Sequence, residues 1–371
     1  MKRIALTKKG MIWCLICILL SLVSLILGII RNTLCKSLDT QNMAERWDDS
    51  GKVSQVSCFF AESCYMTEDR LKEFEFKLDE KLKEQSIEID SENESARLWA
   101  DAYSARGELF VQGEKSSLSL NAIGIGGDFF LFHPLRLTSG NYFSGHNLND
   151  DCVVIDEETA WQLFGACDVA GMMMNVNGVP HLIVGVVERD RDELSKAAGL
   201  ENPVIYCSMG TLRRNHQGDT INHYEVVMPN PIDGFAVQLV KENLSPEEKN
   251  CTVVENTNRF RFQKSLKLVK EFGYRSMNGK AVIYPYWENI ARCYEDRIAL
   301  VTVLIILFAF LPVSTVVILI WYRWKHKKWT VKSLLQNVKI KVSKLHEKRK
   351  KRSVMQTENV KIKTYFDDDE E

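Results

Sequence analysis

Two stretches interrupt the mixed polar and apolar pattern of this chain, one near each end. Residues 11–30 are twenty positions without a charged side chain, and residues 298–320 are twenty-three with Pro312 as their only proline. At a rise of about 1.5 Å per residue, twenty helical residues span about 30 Å, the hydrocarbon thickness of a bilayer. Each stretch therefore predicts a membrane helix, the second with a tolerable kink at Pro312. Trp321, Tyr322 and Trp324 follow where an interfacial aromatic belt belongs.

Between these stretches the periodicity changes several times. Residues 67–85 place Leu71, Phe74, Leu78 and Leu82 on one face of a helix and charged residues on the other. Short strands are expected at 87–89, 97–104, 108–112 and 116–123, with turns at Arg106-Gly107 and Gly113-Glu114. Asp156 is a good N-cap for a short helix through Trp161 and Phe164, ended by a left-handed Gly165. Strands at 172–176 and 181–187 flank Asn177-Gly178, the pair that favours a type I′ hairpin. Further strands are expected at 204–208 and 223–228, a helix at 259–272 stopped by Gly273, and a strand at 281–284. Residues 287–295 should lead helically into the second apolar stretch. Helices and antiparallel strands intermingle, which makes the fold class α+β.

Charge sets the expected orientation. Lys2, Arg3, Lys8 and Lys9 precede the first apolar stretch, and Arg323, Lys325, Lys327 and Lys328 follow the second. The positive-inside rule then puts both termini in the cytoplasm and outweighs Arg31 and Arg297 at the outer ends. The expected organisation is a cytoplasmic N-terminus (1–10), a transmembrane helix (11–30), an extracytoplasmic domain (32–297), a second transmembrane helix (298–320) and a basic cytoplasmic tail with an acidic end (321–371). A cleaved signal peptide fits less well, because the apolar run is too long and Ile29, Ile30 and Arg31 replace a small-residue cleavage site. Residues 323–352 carry thirteen Lys or Arg against Glu347 alone. Leu334, Leu335, Val338, Val342 and Leu345 among them suggest an amphipathic helix on anionic lipid. Nucleic-acid binding is not expected of a membrane-tethered segment without interleaved aromatics.

Candidate chemistry is sparse. No GxxxxGK[ST] or GxSxG motif occurs, and Gly124-Ile-Gly-Gly127 reads as a glycine-rich turn because Phe129 fills the last position of a dinucleotide loop. The outward histidines His133, His146, His181, His216 and His223 lack metal-ligand spacing, with His133 before Pro134 reading as a turn residue. Asp128, Asp156 and Glu157 have cap or turn explanations. Of ten cysteines, Cys14 and Cys17 lie in the first apolar stretch, and Cys58 and Cys64 are the one close pair a short loop could bridge. Buried reduced thiols explain the others equally well. No catalytic, cofactor-binding or metal-binding residue is assigned, and no enzyme activity is expected.

One region carries a family pattern. Gly126-Gly127-Asp128-Phe129-Phe130, Pro134-Leu135-Arg136-Leu137, Gly140-Asn141-Tyr142-Phe143, the strand Cys152-Val153-Val154-Ile155-Asp156, Ala160-Trp161-Gln162-Leu163-Phe164-Gly165, Val169-Ala170-Gly171 and Ile183-Val184-Gly185-Val186-Val187 resemble the periplasmic core domain of MacB-type ABC transporter permeases. Asn141 stands where the family usually has Arg. The resemblance implies mechanotransmission, in which ATP hydrolysis inside the cell moves an outer domain. It also implies a separate ABC ATPase, and leaves room for a second permease subunit, as partners beside membrane lipids. The family has three membrane helices after the outer domain and this sequence has one, so the expectation is a non-catalytic permease-like subunit shortened to two membrane helices. The alternative is a membrane-anchored binding or scaffold protein, independent of ATP, whose extracytoplasmic ligand is unknown.

Overall fold

The computed structural model describes residues 8–48, 50–87, 97–145, 150–200, 202–244, 250–275 and 282–326. The basic tail beyond 326, His146 and most of the expected strand at 87–89 lie outside the described residues.

Among the described residues, ten α-helices and ten strands follow one another. They are α1 (Lys8–Lys36), α2 (Met43–Trp47), β1 (Val53–Phe60), α3 (Glu68–Glu84), β2 (Ala100–Gln112), β3 (Ser117–Gly127), α4 (Phe129–Phe132), β4 (Leu137–Gly140), β5 (Cys152–Asp156) and α5 (Glu157–Phe164). Then come β6 (Met173–Val176), β7 (Val179–Val187), α6 (Glu193–Ser195), β8 (Val204–Ser208), α7 (Met209–Arg214), β9 (His223–Pro229), α8 (Phe235–Leu244), β10 (Cys251–Glu255), α9 (Phe262–Arg275) and α10 (Tyr286–Lys325). The fold is α+β.

The chain divides into two compact units. One holds the described ends of the two long helices, within residues 8–21 and 308–326, and the other lies within residues 22–307. In the first unit the apolar side chains of α1 and α10 stay exposed, Leu15, Ile18, Phe310 and Ile320 among them. Both helices are long and apolar enough to cross a membrane. Inside that unit Cys17 Sγ approaches Thr315 Oγ1 at 3.8 Å.

The larger unit is built on one mixed sheet in the order β10-β1-β9-β2-β3-β8-β5-β7-β4. The β3–β8 and β5–β7 pairs are parallel and the rest antiparallel, so the expected antiparallel meander is only part of the sheet. β6 pairs with both β2 and β7, which closes the path β2-β3-β8-β5-β7-β6 into a ring. Beside the ring, β9, β1 and β10 extend the sheet from β2.

Both faces are covered. α3 lays Leu71, Phe74, Leu78 and Leu82 into a core shared with Val56, Cys58 and Phe60 of β1 and with α8. Each such side chain contributes about 1.5–3 kcal/mol on burial. Thr67 caps α3 by accepting from Arg70 N. The opposite core gathers Met43, Phe129, Phe132, Tyr206 and Trp287.

The hairpin turn lies at Asn177 and Gly178, both at positive φ, and Gly165 ends α5 at φ 74°. Other expectations change. β2 runs straight through Arg106-Gly107, where a Cβ on Gly107 would sit 2.6 Å from Gln217 Oε1, so this glycine serves close approach rather than a turn. Gly124 to Gly127 form the end of β3 instead of a loop, for the same reason. α9 begins at Phe262 rather than Arg259 and continues past Gly273, and residues 282–284 are not a strand. None of the ten cysteines forms a disulfide, and buried Cys58 faces Cys251 on the neighbouring strand β10 rather than closing a loop to Cys64. Burial, followed by the Cys251 thiol, raises the Cys58 thiol well above its ordinary pKa.

Candidate functional site

The foot of α10 is where a helix that continues into an apolar segment is fastened to the folded domain. Trp287, Glu288, Ala291, Ile298, Ala299 and Thr302 are buried, a spacing that defines one helical face. The same face carries charge. Arg259, in the turn after β10, donates from Nη1 and Nη2 to the two carboxylate oxygens of Glu288 at 2.7 and 2.8 Å. Its Nε donates to Glu295 Oε1 at 2.7 Å, and Nη1 also reaches Gln41 Oε1 at 3.0 Å. Arg292 Nε donates to Glu288 Oε1 at 2.8 Å while its guanidinium lies 3.7 Å from the Tyr284 ring centroid.

Two cations thus face two anions in a nearly dry site. The Arg259 side chain is 3% exposed and that of Glu288 1%. Burial works against the Arg259 charge, but Glu288 and Glu295 outweigh it and hold the guanidinium above its ordinary pKa. A planar fork on a carboxylate fixes orientation as well as distance, which lysine in the same place would not do.

Local chain geometry delivers these groups. Arg259 N donates to Asn256 O at 3.0 Å, and Asn258 Nδ2 donates to Glu255 Oε1 at 2.8 Å, which tightens the turn. Gln41 sits in the short helical turn after α1, where Gln55 of β1 holds the chain by donating from Nε2 to Thr40 O and accepting from Met43 N. Arg31 of α1 donates to Thr302 Oγ1 at 3.0 Å and to Phe260 O at 2.6 Å. The segment after the first apolar stretch, the 256–260 turn and the start of α10 are therefore one polar assembly.

Of the residues weighed in the sequence, Asp156 caps α5 through Thr159 N and also accepts from Arg189 Nη2 and Val204 N. Asp128 pairs with Arg97, and Glu157 with Arg191. His181 is buried against Thr211, and His216 is exposed. His133 and His223, which spacing kept apart, lie together beside Glu225. Sequence reasoning missed Arg259, Glu288 and Glu295, because nothing in linear spacing pairs a turn cation with acids about thirty residues later. The one available signal was two acids interrupting the buried stripe that leads into an apolar helix.

The residues that give the sequence its family pattern close the far part of the same sheet. Gly127 takes φ 64° at the end of β3, Gly140 φ 75° at the end of β4, and Gly171 φ 88° before β6, with Asn141 N donating to Val184 O at 2.8 Å. Residues 18–246 match the MacB-like periplasmic core domain, a span of more than half the chain. The chain belongs to this family.

Among curated proteins, this MacB-family chain is 27% identical over 143 residues to "Macrolide export ATP-binding/permease protein MacB 2" of Aeromonas hydrophila, covering 37% of this chain and 22% of that one. It is 31% identical over 86 residues to "Uncharacterized ABC transporter permease YvrN" of Bacillus subtilis, covering 22% of this chain and 21% of that one. It thus spans only about a fifth of the length of these relatives. Among solved structures, the periplasmic region of MacB from Actinobacillus actinomycetemcomitans aligns at 16% identity and TM-score 0.37, over 63% of this chain and 97% of that one. The extracellular domain of the noncanonic ABC-type transporter YknZ from Gram-positive bacteria aligns at 14% identity and TM-score 0.34, over 54% and 99%. Two apolar helices flanking a MacB-like domain fit a protein of the cell membrane.

Proposed function

We propose that this chain is a non-catalytic, permease-like membrane subunit whose outer domain and α10 foot move together, driven by a separate ABC ATPase. The observation that carries the reading is the buried junction of Arg259 with Glu288, Glu295 and Gln41. It ties the turn after β10 and the segment after α1 to a helix of 40 residues. A tether alone needs no such clamp, whereas transmission of displacement needs a stiff one. A relative named as an ATP-binding/permease protein supports ATP hydrolysis as the drive in this reading. A second permease subunit would complete the membrane part.

In this proposal both termini are cytoplasmic, residues 32–297 lie outside, and the basic segment 323–352 faces either the ATPase or anionic lipid. Affinity capture of the full chain from detergent extracts should recover an ABC ATPase. Repeated capture without one would overturn the reading and favour an anchored binding protein. Charge reversal at Lys348, Arg349, Lys350, Lys351 and Arg352 should release that ATPase while membrane insertion persists. Loss of lipid contact with the ATPase retained would assign the tail to the bilayer.

A further inference from the structure

His133 and His223 are ninety positions apart in the sequence yet point at one carboxylate. β9 carries His223 and Glu225, and a spacing of two in a strand sends both side chains to the same face. His133 arrives from the residue that ends α4. One nitrogen from each ring and a Glu225 oxygen lie within 4.8 Å of one another, and all three side chains are 1% exposed.

The three groups converge on one point, and the closest pair stands at hydrogen-bond distance. His133 Nε2 is 2.9 Å from Glu225 Oε2, and His223 Nε2 is 3.8 Å from Glu225 Oε1. Even so, His133 Nδ1, His133 Nε2, His223 Nε2 and Glu225 Oε2 all lack an aligned hydrogen bond. Two ligand atoms about 2.0–2.1 Å from a tetrahedral ion stand roughly 3.3 Å apart, a value these two distances bracket. The neighbouring atoms are held in place. Glu225 Oε1 accepts from Ser57 Oγ, from Asn256 Nδ2 at 3.2 Å and from Gln55 Nε2 at 3.4 Å, and Ser104 Oγ lies 3.5 Å from His223 Nδ1. Such partners set the ring tautomer and the carboxylate orientation of metal ligands.

We propose that His133, His223 and Glu225 bind one divalent first-row transition-metal ion, with zinc the best match. Two imidazoles and one carboxylate are zinc donors, whereas magnesium and calcium favour all-oxygen sites. Aromatic rings wall the cluster. Phe59 stacks on His223 at 5.0 Å, and Phe129 and Trp287 each lie 4.5 Å from His133. A cavity of about 280 Å³, lined in part by Ser104, Tyr286 and Trp287, reaches one of the three ligands, His223. Trp287 belongs to the first turn of α10, so the ion sits beneath the foot of that helix. The site goes beyond the ATPase-coupled reading and can fail without it.

The test uses the full chain in detergent under reducing conditions, stripped with a chelator, reloaded with zinc and desalted. Mass spectrometry of the metal should find one zinc per chain, and X-ray absorption should show nitrogen and oxygen at about 2.0 Å with no sulfur shell at about 2.3 Å. H133Q and H223Q should each weaken zinc binding by more than about 100-fold, and S104A by about 10-fold. H216Q, at the exposed histidine, should leave it unchanged. A folded wild-type chain that takes up no stoichiometric zinc, a sulfur shell from the cysteines, or wild-type affinity in the H133Q/H223Q double variant would each overturn the site. The wild-type stoichiometry and absorption spectrum decide the matter even if a variant fails to fold.

Discussion

Replacing Arg259 with methionine tests the junction most directly. The substitution keeps an unbranched apolar stem and removes the guanidinium with its charge, leaving Glu288 with its side chain 1% exposed and without its bidentate partner. Breaking a buried pair by deleting one member costs about 3–5 kcal/mol. Arg292 remains 2.8 Å from Glu288, and Glu295 is 17% exposed, so both orphaned acids keep some compensation. The expected loss is therefore at the lower end, about 3 kcal/mol. For a domain of this size it lowers the apparent melting temperature by about 6–12 °C. Intrinsic fluorescence melts of the full chain in one detergent supply the measurement. R259M combined with E288M removes the buried charge along with its partner and should recover at least half of the loss. A shift under about 2 °C for R259M, or a double variant that loses the sum of the two singles, would refute the reasoning that this network is a cooperative clamp.

Three further outcomes follow from other sites. Burial, followed by the Glu75 carboxylate, raises the Asp101 pKa to about 8, so the folded state holds a proton that the unfolded chain gives up near its ordinary value. The stabilisation is complete below the unfolded pKa and is lost as pH rises through about 8. Melting temperatures between about pH 6 and about pH 9 should fall in the wild type and stay flatter in D101N. Gly127→Ala meets a positive φ and places a Cβ 2.6 Å from Asp101 O, so denaturant melts should show a loss of about 2–4 kcal/mol. Asp156→Ala removes the α5 cap, leaves Val204 N without its acceptor and leaves Arg189 with Glu158 alone, and the same melts should report at least about 2 kcal/mol, against about 1 for a cap alone.

Elements with strong local patterns were legible before any coordinates. The four apolar residues of α3, the Asp156 cap with Gly165 at the far end of α5, and the Asn177-Gly178 turn all stand where sequence placed them. β1 escaped notice because both its faces are covered and its polar residues are inside. Ser54, Gln55 and Ser57 are at most 1% exposed, with Gln55 and Ser57 bonded to Glu225, so no alternation remains to read. Gly107 looked like a turn, although its small size answers to Gln217 and Leu212 pressing from another element. The polar assemblies were illegible for a related reason. Arg259 with Glu288, and His133 with Glu225, are partners only once the sheet has brought distant strands side by side.

The ring of strands has a mechanical consequence. β2 is 13 residues long and pairs with β3 through eleven of them, from Ala102 opposite Gly127 to Gln112 opposite Ser117. Its first half also holds β9, and its last two residues hold β6. Antiparallel hydrogen bonds lie across the strands, so tension along β2 shears all eleven pairs at once, whereas tension across it would peel them one after another. Pulled along that strand, the domain should resist as a single brittle unit. Force spectroscopy with handles at residues 112 and 229, which load β2 against β9 lengthwise, compared with handles at the facing residues 104 and 223, which load the same pair crosswise, should give the higher rupture force for the first pair, and equal forces would show that the sheet has no stiff direction.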